Sequence, residues 1–250
     1  MNNNYWLIQN KTNIPYYLNM LIDEYFFYLA KKNILTSPVL RLYTWSTPSI
    51  TIGYHQKISD FDINSLLNDD IKLIRRPTGG RAVFHFNDIT YSIIIPQMQY
   101  SRGDYYKIIN IALYLGLKNL GIKTEFEDKG LSPKERKNLP KTCFSSSNKW
   151  ELKRNNKKIA GSAQNVYRNT LLQQGSIPIT QDHTKIFKYL NENEEKKRKL
   201  ENFYQKHTSY ILENIKTPIP EKQILNSLEN SFKEVFKIEN IVYFSENDIF

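Results

Sequence analysis

The chain has 250 residues, of which 40% are hydrophobic, and this is enough to bury a core. It has no apolar run close to the roughly 20 residues that span a bilayer, and its start lacks a secretory signal pattern. A single cysteine excludes an internal disulfide, and four scattered histidines form no metal-ligand pattern. We therefore expect a cytoplasmic protein without a bound metal or a membrane partner.

The formal net charge of +10 is unevenly distributed. Residues 129–158 carry ten Lys or Arg against Glu135 and Glu151. Such a cluster favours an acidic partner, which is either nucleic acid or an acidic protein. The alternative is that these lysines are simply solvated surface.

Apolar spacing predicts a helix at 15–32 and a second at 103–120, which Gly121 ends. Between them, alternating patterns predict strands at 39–45, 49–55, 71–76, 81–86 and 89–95.

Beyond the second helix, a strand is predicted at 122–127 and a polar loop at 128–142. The turn-like 154–156 lies between KWELK and KKIAGSAQNVY and indicates a hairpin, and a further strand is predicted at 171–179. From residue 181 the pattern is helical, with two helices separated by Pro218 and Pro220, and NIVYFS predicts a closing strand.

Strands dominate the middle and helices the ends, so the predicted class is α+β. We expect mixed, mostly antiparallel sheets with flanking helices. We also expect one domain over 1–250, with 181–250 as a mostly helical C-terminal extension.

The first unusual segment is RRPTGGRAVFH at 75–85. Gly79 and Gly80 between two strands either form a hairpin turn or let the backbone approach a ligand closely. Taken alone, the pair favours the hairpin. Three arginines and His85 surround it, however, as around an anionic or carbonyl-bearing ligand. The segment is neither a Walker loop nor a dinucleotide fingerprint.

The second segment is KKIAGSAQ at 157–164. Its small residues leave room beside a strand, and Lys158 can place an ammonium over that space. The alternative is a solvated lysine on a hairpin.

The third segment contains Cys143, the only cysteine of the chain. A lone cysteine is most often a small buried apolar residue. Cys143 lies in the most basic part of the chain, and nearby positive charge favours the nucleophilic thiolate.

Together these segments resemble the biotin/lipoate ligase and transferase superfamily, and within it the cysteine-dependent octanoyltransferases. Residues 75–85 resemble the family's substrate-binding loop, 158–164 its lysine motif, and 174–177 the strand that follows. The early W-x-x-P…G-x-x-Q pattern is matched at Trp45, Pro48, Gly53 and Gln56. The resemblance extends from about residue 5 to about residue 240.

The subtype depends on two positions. ATP-dependent lipoate ligases commonly have a third glycine where this chain has Arg81, and they need no cysteine. Cys143 precedes Lys158 by fifteen residues, as in the octanoyltransferases. Three alternatives remain: a lipoate–protein ligase, an octanoyl amidotransferase between lipoyl-domain proteins, and a non-catalytic relative. Biotin ligases match poorly in the glycine-rich loop.

The resemblance implies an acyltransferase of lipoate biosynthesis that needs no cofactor. Its donor would be octanoyl-acyl carrier protein. Its acceptor would be an apo lipoyl domain, either glycine cleavage H protein or a dehydrogenase E2 subunit, and nucleic acid would have no part. Catalysis is expected from Cys143 and Lys158. The expected substrate-binding residues are Arg76, Thr78, Gly79, Gly80, Arg81, His85, Gly161, Ser162 and Ala163.

Overall fold

A computed structural model describes residues 5–127 and 149–249. The α-helices in these ranges are α1 (Tyr16–Lys31), α2 (Ile63–Asn68), α3 (Arg102–Asn119), α4 (Glu194–His207) and α5 (Glu221–Phe236). The strands are β1 (Trp6–Ile14), β2 (Val39–Trp45), β3 (Ser49–Ile52), β4 (Lys72–Arg75), β5 (Val83–His85), β6 (Asp88–Ile95), β7 (Glu125–Phe126), β8 (Leu152–Arg154), β9 (Lys157–Lys158), β10 (Gly161–Tyr167), β11 (Thr170–Pro178) and β12 (Ile241–Tyr243). Short 3-10 helices lie at Ile58–Asp60, Gln181–Tyr189 and Glu246–Asp248.

The large sheet has the strand order β10-β11-β6-β2-β1-β12. Strand β1 runs parallel to β2 and β12, and the other neighbours are antiparallel. Every residue of β2, β6 and β11 is buried because helices cover both faces. Helix α1 packs on one face, and α5, itself packed on α3, lies on the other. At the α3–α5 contact, a Cβ added to Gly116 would lie 2.7 Å from Leu228.

A smaller sheet has the order β4-β3-β5, with β4 parallel and β5 antiparallel to β3. The 3-10 helix Gln181–Tyr189 packs on β5, and α4 packs on that 3-10 helix. A third sheet contains β7, β8 and β9, all antiparallel. Its β8–β9 turn has Asn155 and Asn156 at φ 51° and 60°, where asparagine is well tolerated.

The α+β class with mixed, mostly antiparallel sheets is confirmed. The predicted helices 15–32 and 103–120 correspond to α1 and α3, and Gly121 follows α3 at φ 76°. Strand β1 and helix α2 were not predicted. The polar loop predicted at 128–142 lies outside the described residues.

Two interpretations from the sequence are wrong. Gly79 and Gly80 do not turn a hairpin, because β4 and β5 pair with opposite edges of β3 rather than with each other. The stretch KKIAGSAQNVY at 157–167, which follows the predicted hairpin turn, is not the single second strand of that hairpin but two strands, β9 and β10. The chain leaves the hairpin sheet and enters the large sheet at Ile159 and Ala160, both of which are buried in the main core.

The assignment of 1–250 to one domain stays a prediction. It is supported by the C-terminal elements, because α5 packs on α3 and β12 extends the large sheet beside β1. No helix in the described ranges is long and apolar enough to cross a membrane. Residues 5–127 and 149–249 contain no cluster of three His, Cys, Asp or Glu suited to a metal ion.

Candidate active site

A pocket with a mostly apolar surface lies between the α1 face of the large sheet and the small sheet. One wall is a row of residues that face each other across four strands: Gly161, Ser176, Thr90 and Tyr43. The opposite wall comes from the small sheet. The pocket is therefore a narrow space between two sheets, which suits an elongated apolar group.

The pocket meets a larger polar cleft at Ser162 and Ala163, which line both. The cleft is also lined by the loop Gly79–Arg81, by the beginning of α3 and by Lys158. A bound molecule can thus place an apolar chain in the pocket and a polar end beside Lys158.

Arg76 holds the glycine loop in place. Its Nη2 donates 2.7 Å hydrogen bonds to the carbonyls of Gly79 and Arg81, and its Nη1 donates to Thr51 at 3.2 Å. Arg76 is 5% exposed and also lines the pocket. The structure therefore gives this arginine a positioning function, and its predicted contact with substrate stays a prediction.

Two of the glycines near this loop have a structural reason, one from close backbone packing and one from its backbone conformation. A Cβ on Gly53 would lie 2.0 Å from the Gly80 carbonyl oxygen, so no side chain fits there. Gly80 has φ 84°, a conformation that favours glycine. A Cβ on Gly79, in contrast, would meet nothing within 4 Å. Gly79 therefore faces open space in the cleft.

A buried polar network anchors Thr78. Its hydroxyl donates to Gln174 at 2.7 Å, and the Gln174 amide donates to Asp23 on α1 at 2.7 Å. Asp23 is fully buried and forms an ion pair with Arg41. Burial, together with the negative charge of Asp23, raises the pKa of Tyr43 well above its ordinary value. Thr78 itself is buried behind the loop.

Sequence reasoning missed this network. The sequence feature that could have revealed it is one aspartate and one arginine within two mainly apolar segments, PYYLNMLIDEYFF and VLRLYTW. A buried charge of this kind is rarely found without a partner.

His85 is fixed by neighbours on all sides. Its Nε2 lies 2.9 Å from Thr51 Oγ1, and its Nδ1 lies 2.8 Å from Asp88 Oδ2. The ring stacks on Trp45 with centroids 4.1 Å apart. Since both nitrogens are engaged, His85 contributes its ring to the pocket wall. Sequence reasoning did not single out Asp88.

The Ser162 hydroxyl is positioned by Tyr91 of β6, with 2.7 Å between the two hydroxyl oxygens. Gln173 donates to the same phenol at 2.9 Å. Burial raises the pKa of Tyr91 to about 12, so the phenol keeps its proton at neutral pH. Gly175 is required beside it, because a Cβ there would lie 2.3 Å from the Tyr91 ring.

Lys158 ends β9 and lies on the cleft wall. Its Nζ lies 2.9 Å from Glu151 Oε1, and Tyr106 donates to the same oxygen at 3.1 Å. Only 7% of the Lys158 side chain and 2% of the Glu151 side chain are exposed. The β8–β9 hairpin brings these two residues together, and Glu151 was also missed.

The described residues of the prediction, apart from the fully buried Thr78, line two adjoining parts of one site. Arg76, His85 and Gly161 line the pocket, whereas Gly79, Gly80, Arg81 and Lys158 line the cleft. Ser162 and Ala163 line both. Cys143 lies outside the described residues. The roles assigned to these residues in catalysis and substrate binding stay predictions.

Comparisons with known proteins identify the family of this chain. Residues 15–233 match the lipoyl protein ligase A/B catalytic domain. The octanoyltransferase LipM of Clostridioides difficile is 35% identical over 252 residues, which cover 98% of this chain and 91% of the relative. The LipM of Staphylococcus epidermidis is 36% identical over 89% of this chain and 82% of the relative.

Solved structures show the same fold at low sequence identity. The bipartite lipoate protein ligase of Thermoplasma acidophilum has a TM-score of 0.75 and 18% identity, covering 98% of this chain and 89% of that one. A lipoate-protein ligase A bound with ATP has a TM-score of 0.70 and 18% identity, covering 98% and 91%. The chain belongs to the lipoyl protein ligase A/B catalytic domain family, and its full-length relatives identify it as an acyltransferase of the octanoyltransferase type.

Proposed function

We propose that this enzyme moves an octanoyl group from acyl carrier protein to a lysine of a lipoyl-accepting domain, through a thioester on Cys143. One observation carries the proposal: an apolar pocket opens at Ser162 and Ala163 into a polar cleft that contains Lys158. The pocket suits a medium-length acyl chain, and the cleft suits the thioester end with the arm that carries it. Because the LipM relatives are octanoyltransferases, octanoyl is the expected acyl group.

In the first step the Cys143 thiolate attacks the acyl carbonyl carbon of the donor. A carbon–sulfur bond to Cys143 forms, the bond to the carrier sulfur breaks, and the carrier leaves as a thiol with the proton that Cys143 gave up. One thioester replaces another, so this step needs no nucleotide. We expect the backbones of Gly79, Gly80 and Ser162 to line the acyl carbonyl, because Gly79 faces the cleft without obstruction.

In the second step the amine of the acceptor lysine attacks the acyl-enzyme. A carbon–nitrogen bond forms, the bond to Cys143 breaks, and one proton passes from the amine to the sulfur. Lys158 is proposed to favour the thiolate and to relay this proton. Its support is the position of the buried ammonium on the cleft wall beside Ser162.

The positive charge is proposed to attract the two acidic carrier proteins. Opposite fields speed encounter, and salt weakens them. Replacing Lys134, Arg136 and Lys137 with Glu should raise the KM for a carrier substrate severalfold at low salt, and the difference should shrink as salt rises. An unchanged KM would mean that this charge is solvated surface.

The deciding experiment uses octanoyl-acyl carrier protein without ATP or magnesium, followed by intact mass measurement. We expect an octanoyl adduct on the wild-type enzyme, none on Cys143→Ser, and transfer to an apo lipoyl domain when it is added. If turnover occurs only with free octanoate or lipoate plus ATP, the enzyme is a ligase rather than the proposed transferase. Turnover with an octanoylated lipoyl-domain donor alone would replace it with an amidotransferase.

A further inference from the structure

The pocket meets the cleft at Ser162 and Ala163, which line both. From there the wall crosses four strands in register, from Gly161 through Ser176 and Thr90 to Tyr43. Three strand spacings of about 4.8 Å make this path about 14 Å long.

Two side chains that line the pocket, Trp45 and Met20, pack with Tyr43 at the other end of this row. Trp45 is held rigidly, because its Nε1 donates to Thr90 at 2.8 Å and its ring stacks on His85. Met20 reaches in from α1 and packs in one cluster with Tyr43 and Trp45. Met20 is 3% exposed, and its contact with Gln174 is a weak one at 3.7 Å from sulfur to amide nitrogen. Trp45 is therefore the fixed part of this end, and Met20 is the adaptable part.

We infer that Met20 sets the upper limit of acyl chain length. This inference rests on the proposed function, because it concerns the acyl group held in the same pocket. An extended eight-carbon acyl chain spans about 9 Å, taking C–C bonds of about 1.5 Å in a zigzag. Starting at Gly161, its methyl end reaches about two strand spacings, to Thr90, where the Trp45 indole donates to Thr90 and Met20 packs with Trp45. Longer chains must displace the Met20 side chain.

The test compares hexanoyl, octanoyl, decanoyl and dodecanoyl carrier proteins as donors, each measured as kcat/KM. Met20→Ala extends the pocket, and each newly buried methylene improves kcat/KM about fourfold. The decanoyl-to-octanoyl ratio should therefore rise at least tenfold. Met20→Phe shortens the pocket, and the hexanoyl-to-octanoyl ratio should rise by a similar factor.

Ile22→Ala is the matched control, because Ile22 is buried on the same helix but packs with Phe26 and Phe27 away from the pocket. Its ratios should stay within about twofold of wild type. The inference is overturned if both Met20 variants keep wild-type ratios, or if Met20→Ala lowers octanoyl and decanoyl transfer alike. Should Met20→Ala fail to fold, the donor ratios of kcat/KM for Met20→Phe and Met20→Leu decide instead. A wild-type enzyme that transfers no octanoyl would count against the proposed function instead.

Discussion

The ammonium of Lys158 and the carboxylate of Glu151 form a buried ion pair, with 2.9 Å between Nζ and Oε1. They are seven positions apart in the sequence, and the β8–β9 hairpin brings them together. The positive charge of Lys158 on the cleft wall is therefore paired with a carboxylate, and this ion pair fixes the position of the lysine side chain.

Replacing Glu151 with Gln should lower the free energy of unfolding by about 3–5 kcal/mol, because it leaves a buried ammonium without its carboxylate. Urea unfolding at pH 7 measures this change. Glu195→Gln removes an exposed pair with Lys199 and should change stability by less than about 1 kcal/mol. The double variant Glu151→Gln/Lys158→Met should lose less than the sum of the two single changes. A sum that is strictly additive would mean that the two charges do not interact.

Replacing Lys158 with Met keeps the length of the side chain and removes its charge. If the ammonium favours the Cys143 thiolate, alkylation by neutral iodoacetamide should move to higher pH by about one unit, which corresponds to about 1.4 kcal/mol. Lys157→Met is the control, because Lys157 is the adjacent residue and pairs with Glu213 instead. An unshifted profile in a folded Lys158→Met protein would separate this lysine from the thiol.

Alanine variants at Gly53 and Gly79 distinguish the effect of loop packing from the effect of substrate contact. Gly53→Ala places a Cβ 2.0 Å from the Gly80 carbonyl oxygen, so the loop must move. We expect more than about 2 kcal/mol of destabilisation and a large loss of transfer. Gly79→Ala meets nothing within 4 Å and should change stability by no more than about 0.5 kcal/mol. A fall in kcat/KM for the stable Gly79→Ala protein would indicate that substrate approaches this backbone, whereas wild-type activity would argue against it.

Acid should destabilise the protein partly through His183. Burial lowers the pKa of His183 to about 4, while Nδ1 lies 3.1 Å from the Thr180 carbonyl and Nε2 lies 2.9 Å from Thr208 Oγ1. The unfolded chain takes up this proton near pH 6.5, whereas the folded chain resists it until about pH 4. Stability is therefore present above pH 6.5 and is lost as pH falls toward 4, by about 3 kcal/mol in total.

Urea unfolding from pH 7 to pH 4.5 measures this loss. His183→Gln should reduce the slope of stability against pH in that window. His207→Gln, at an exposed position on α4, should keep the wild-type slope. Equal slopes in all three proteins would mean that the acid sensitivity arises elsewhere.

The sequence by itself determined the α+β class, because alternating patterns such as 89–95 and helical spacing such as 103–120 reflect burial on local faces. It also determined the motif residues of the family, since RRPTGGRAVFH and KKIAGSAQ are contiguous. The hairpin turn at 154–156 was equally local, because asparagine tolerates the positive φ angles of that turn.

Only the tertiary structure decided what lies between distant segments. The partners of Asp23 include Arg41, Ser92 and Gln174, which are far apart in sequence, so no local pattern joins them. The switch of sheets at Ile159 and Ala160 depends on which strands lie beside these residues. Both residues are apolar, and apolar residues can be buried against either sheet, so their pattern does not reveal the switch. The pairing of β4 and β5 with opposite edges of β3 is likewise a long-range choice, and it turns Gly79 and Gly80 from an apparent hairpin into a loop that lines the cleft.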